Sequence, residues 1–174
     1  VEGRAYDLAR ALLECACERL ADECPDRRCV VPGNQVSWDN CCSGKTGGQL
    51  TVHVVQAYPS RTFPDPDLRR PANCDTTYTV LELVVTILRC SPVGDGPHPA
   101  TCEELDSTAQ QALRDLERVR DSTACCLLQQ DALKALLRGP YAWAFGQQLS
   151  LGPDGGCAGS ELHVLVGMLH CREC

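Results

Sequence analysis

The chain has 174 residues, 44% of them hydrophobic and 22% charged, with 23 acidic against 16 basic side chains and a net charge of −7. That length can bury a real core as one domain spanning residues 1–174, and the scattered arginines form no basic stripe of the kind sequence-specific DNA or RNA binding needs. The longest apolar runs, LELVVTIL and HVLVGML, are too short to cross a bilayer, and Glu2, Arg4 and Asp7 break any apolar leader core, so we expect a soluble protein made in a cytoplasm.

In chain order, residues 5–22 predict an amphipathic helix: Ala5, Leu8, Ala9, Leu12, Leu13, Ala16 and Leu20 share a stripe, and Pro25 ends it. The stretch RCVVPGNQVSWDNCC reads as a short strand or arm broken at Pro32-Gly33. Leu50 to Tyr58 alternates as a strand, and residues 58–74, with Pro59, Pro64, Pro66 and Pro71, predict an extended proline-rich arm. Tyr78 to Cys90 is a long strand with one wholly apolar face (Leu81, Leu83, Val85, Ile87) and a mixed face that is partly wet or meets a partner. Thr101 to Glu104 is a capping box opening the main helix, whose stripe runs from Leu105 to Thr123. A break near 125–131 precedes a short helix to Arg138. Two strands, Ala142–Leu151 and Glu161–Cys171, close the chain around the glycine-rich connection GPDGGCAGS. The pattern predicts an α+β fold: a mostly antiparallel sheet packed against an N-terminal helix and a long central helix as a two-layer sandwich.

The triplet Gly44-Lys45-Thr46 ends like a phosphate-binding loop, but the first glycine of that pattern is replaced by Asp39, and Gly47-Gly48 lead into a strand instead of a helix. We read it as a turn. No nucleophile motif, zincin motif or dinucleotide fingerprint occurs, and His53 and His163 alternate with apolar residues as structural strand histidines. We therefore expect no enzyme, and assign no catalytic, cofactor-binding or metal residue.

Cysteine is the anomaly, at 14 residues. Only Cys171 and Cys174 have the spacing of a zinc half-site, with His163 and His170 near them. Cys15 and Cys17, two apart on a helix, point to different sides, and the adjacent pairs are poor chelates because neighbouring side chains diverge. Buried thiols, some oxidised late, are the reading the residues favour.

Several blocks resemble one family. WDNCC followed by GQLTVHVVQAYPSRTFP, then LELVVTILRCSP and LGPDGGCAGSELHVLV, over about residues 29–167, are similar to small virion proteins of long-tailed actinobacteriophages, the tail terminators and their neighbours in the neck. The resemblance implies a structural protein whose ring, typically hexameric, caps the finished tail tube and joins it to the head–tail connector or stopper. It implies self-association, a tail tube protein and a connector as partners, and DNA passing through without specific binding. Assembly would take place in the bacterial cytoplasm and the final location would be the virion neck. The acidic balance suits a lumen that does not retain DNA, and equally a charge that keeps a protein in solution. Under this resemblance Tyr58, Phe63, Leu68 and Lys45 are the expected inter-subunit contacts, and Cys41, Cys42, Cys125, Cys126 and Cys157 are expected to form stabilising disulfides in the particle, with pairing left open. A head-side adaptor or stopper is the nearest alternative. A zinc-stabilised adaptor centred on Cys171 and Cys174, and a secreted disulfide-rich binder, are the alternatives from other classes.

Overall fold

The computed structural model describes residues 3–67, 77–94, 98–137 and 140–170. The first apolar stripe becomes α1 (Arg4–Leu20), which buries Leu8, Ala9, Leu12, Leu13, Ala16 and Leu20 and passes through a 3₁₀ turn, Ala21–Glu23, towards Pro25. Then follow β1 (Arg27–Val30), β2 (Gln49–Ser60), β3 (Thr77–Cys90), α2 (Cys102–Leu128), α3 (Gln130–Leu137), β4 (Tyr141–Asp154) and β5 (Cys157–His170). The fold is α+β: a five-stranded sheet in the order β1-β2-β3-β5-β4, antiparallel except for the parallel β1–β2 pair, with α1 and α2 packed on it. The capping box at Thr101 and Glu104 opens α2, and Gln129 separates α2 from α3.

The glycine-rich connection is tighter than the sequence led us to expect. Gly155 and Gly156, both at positive φ, make a two-residue turn, so β4 and β5 run almost into each other as one hairpin.

One face of the sheet meets the helices. Leu50, Val52, Leu83, Val85, Leu162 and Val164 join the α1 stripe and Val119 and Leu127 of α2 in a continuous core. Within it lies an ion pair: Arg89 of β3 donates through Nε to Asp115 Oδ2 of α2 at 2.7 Å and through Nη2 to the Glu23 carbonyl at 2.7 Å. Both side chains are shut away from water, with 5% and 0% exposure.

The other face was expected to be partly wet or to meet a partner. Instead Val80, Val84, Thr86 and Leu88 of β3 are all buried, because the chain covers them itself. A strap of irregular backbone, residues 31–48, returns across the end of the sheet, and residues 61–67 fold back over its opposite end.

Among the described residues four disulfides tie these layers together: Cys15–Cys126 joins α1 to α2, Cys17–Cys24 closes the end of α1, and Cys41–Cys157 and Cys42–Cys90 hold the strap to β5 and β3. Cys90 and Cys157 are direct partners in the β3–β5 ladder, so two adjacent cysteines of the strap straddle two adjacent strands. Cys125, expected among the paired residues, is exposed and unpaired. Neighbours on a helix diverge by about 100°, so when Cys126 faces α1, Cys125 faces outward, where the Arg19 guanidinium donates to its sulfur at 3.6 Å. Cys171 and Cys174 of the zinc alternative lie outside the described residues.

Two predictions follow from these ties. The Cys15–Cys126 bridge spans 111 residues, a loop whose closure is worth about 4–5 kcal/mol in the chain-entropy account. In oxidised protein Cys126→Ser should therefore lower the denaturation midpoint markedly, while Cys125→Ser leaves it within about 0.5 kcal/mol. For the ion pair, Asp115→Ala alone should cost about 3–5 kcal/mol by stranding the Arg89 charge, and the double variant Arg89→Met, Asp115→Leu should recover most of that loss in urea titrations.

Candidate functional site

The residues that leave the core without a cover point to a surface. The first turns of α2 are open to water: Asp115 is its first fully buried side chain. Along those turns the apolar stripe continues, leaving Leu105 41% and Leu113 57% exposed. A single exposed leucine is ordinary, but a stripe that continues a core face into water needs a reason. Beside it, Leu105, Ala109, Leu113 and Leu116 of α2 and Leu151 and Pro153 of β4 line an apolar cleft of about 300 Å³. Leu149, 40% exposed, lies on the same strand, and β4 is an outer strand of the sheet.

The expected contact residues fall elsewhere. Tyr58 donates its hydroxyl to the Pro64 carbonyl at 3.0 Å. The Phe63 ring packs edge-on against Tyr78 and sits where a side chain at Gly167 would go. Within one subunit both residues hold the arm to its own sheet. Leu68 lies outside the described residues.

Lys45 is exposed on the Gly44-Lys45-Thr46 turn. The turn does cradle an anion, but that anion belongs to the chain. Asp26 Oδ2 accepts from the Lys45 and Thr46 amides at 3.0 and 3.3 Å, and the Asp26 amide donates to Thr46 Oγ1 at 3.1 Å. Backbone N–H groups that a phosphate would need are already taken.

On the sheet face away from the helices lies a polar cluster that the sequence reading dismissed. His163 Nδ1 is 2.8 Å from Glu82 Oε1 and its Nε2 is 3.4 Å from Glu161 Oε1, while Gln56 donates to Glu82 Oε2 at 2.6 Å. His53 faces the same region one strand away, since both histidines are ladder neighbours of Val84. Burial lowers the His53 pKa below its ordinary 6.5, against the pull of Glu161 and aided by His163. Burial would raise that of Glu82, but hydrogen bonds with His163 and Gln56 and the His163 charge outweigh it, so this carboxyl sits below its ordinary value. Period-2 alternation marks each of these residues only as a strand position. That β2, β3 and β5 bring them together was not readable from the chain. Among the described residues, no group of three or more His, Cys, Asp or Glu side chains is placed to hold a metal ion.

Both shifts act in one direction on acidification. His53 binds its proton less readily folded than unfolded, so stability should fall as pH drops from 6.5 towards its native pKa. Glu82 stabilises the fold above the ordinary carboxyl value, and that contribution is lost as pH falls through its depressed native pKa. Urea midpoints measured against pH should show His53→Gln flattening the upper limb and Glu82→Gln the lower one.

Compared with known proteins, the chain matches no protein-family model, and no curated protein aligns with it significantly.

Proposed function

We propose that this protein is a structural, non-enzymatic virion component of the head–tail interface of a long-tailed phage, a tail terminator whose copies form a ring on the end of the tail tube. The observation that carries the self-association is the apolar stripe of α2, which runs on past the core and is left open at Leu105 and Leu113. The cleft beside it and the outer edge of β4 make one continuous surface, lined by Leu151 and Pro153 of that strand. Burying it stabilises an assembly by removing apolar area from water, about 25 cal/mol for each Å². An outer strand with unpaired backbone groups also invites covering. The occupant is a second copy of this chain. In a ring the contact is heterologous: this surface meets a different face of the next copy, and successive copies related by rotation close the cycle. The resemblance described above supplies the biological setting, with the tail tube protein and the head–tail connector as the other partners and DNA threading the lumen.

Light scattering and native mass spectrometry, with and without reductant, test the assembly, and electron microscopy of isolated tail tubes tests the capping. We expect discrete oligomers or rings on tube ends. Leu113→Asp should abolish them while leaving the thermal midpoint of the folded subunit within a few degrees, since Leu113 contributes little to the core. A chain that stays monomeric at all concentrations and ignores tubes would end this reading. Rings that bind the connector and not the tube would move it to the head-side stopper.

A further inference from the structure

The strap does more than cover the sheet: it roofs a cavity. Residues 34–38 span it, and the strap is pinned on both sides. The Val31 amide donates to the Val52 carbonyl at 2.9 Å, the Gln49 side chain donates to the Ser37 carbonyl, Arg27 pairs with Asp39, and Cys41 is bonded to Cys157. Beneath it is a space of about 350 Å³, floored by His53, Thr86 and Glu161 and walled by Val36, Trp38 and Leu151.

The floor is unusual in what it leaves unmade. His53 is 3% and Thr86 1% exposed, yet His53 Nδ1 and Thr86 Oγ1 have no hydrogen-bond partner. Thr51, opposite Thr86 in the ladder, is in the same condition. A buried polar atom without a partner costs about 1–3 kcal/mol, and native folds rarely leave several together unless something else meets them.

We propose that this cavity binds an alkylammonium group, carried by a small free amine or by a lysine side chain. An ammonium has three N–H donors and no acceptor; the lining offers it the Glu161 carboxylate, and the Thr86 hydroxyl oxygen and a ring nitrogen of neutral His53 lie just beneath the floor as acceptors without partners. The charge matches as well, because the lining contains a carboxylate and no Lys or Arg. Trp38 supplies an aromatic wall for a cation, and Val36 and Leu151 provide apolar surface for the methylene chain. Trp38 is held in place because its ring edge lies 3.0 Å from where a side chain at Gly152 would begin. A phosphate or carboxylate ligand would meet the Glu161 charge at short range, with no cation in the lining to offset it.

The test uses the whole oxidised chain and follows the histidine ring signals of His53 and His163 by nuclear magnetic resonance during titration with n-butylammonium. A saturable shift at His53 is expected, with affinity falling about tenfold or more in Glu161→Gln, the worth of one charge-assisted hydrogen bond. Thr86→Val, which keeps shape and removes the hydroxyl, should weaken binding in the same direction. Nα-acetyl-lysine amide and a lysine-containing peptide distinguish the sources. Binding of the peptide assigns the cavity to a protein side chain, and binding of n-butylammonium alone assigns it to a free amine. The proposal fails if n-butylammonium gives no saturable shift, if tetramethylammonium, which has no N–H donors, binds equally well, or if butyramide does. It rests on the strap and the sheet and stands whether or not the chain forms rings.

Discussion

The contact on which the two layers depend is the pair Arg89–Asp115. Apolar packing between layers tolerates sliding, whereas an ion pair buried to this degree must be met in full or not at all. Arg89 also reaches the Glu23 carbonyl at the end of the 3₁₀ turn, so one guanidinium fixes the end of the first helix, the middle of the second and the last turn of the central strand. Its neighbour Cys90 then fastens the strap. The end of β3 is thus the place where helices, sheet and strap are set relative to one another.

That arrangement explains where α2 is closed and where it is open. The helix is anchored at Asp115, Val119 and beyond. The turns from Cys102 to Arg114 stand across the apolar cleft from the β4–β5 hairpin, with their stripe still apolar and open to water. Glu23 receives Arg118 at 2.8 Å and Arg114 at 3.7 Å, half-exposed contacts worth little in stability. The open face continues the core stripe, which favours its use as an assembly surface.

Much of this was legible in the chain. The α1 stripe, the capping box at Thr101 and Glu104, the break before α3 and the apolar face of β3 follow local periodicity, and local periodicity survives folding. What could not be read depends on elements far apart in sequence. Cys125 and Cys126 are equal as letters, and only the rotation of α2 against α1 decides which is bonded. Phe63 reads as a free aromatic on a proline arm until Gly167, more than a hundred residues later, makes room for it. The second face of β3 looked available because nothing in the sequence says that residues 31–48 double back over it. His53 and His163 were each ordinary alone. Their shared neighbour Val84 is a property of strand order, and so is the cavity above them.

The strap also couples two kinds of chemistry. Its closed position is held by sulfur–sulfur bonds at Cys41 and Cys42, and the same closed position completes the roof over His53 and Thr86. Linkage makes such couplings mutual. Whatever occupies the cavity and favours the closed roof must, by the same factor, make those two bonds harder to reduce, and reducing them must loosen the grip on the occupant. With the proposed occupant bound, the strap would carry the redox state of its surroundings to a pocket that contains no sulfur at all.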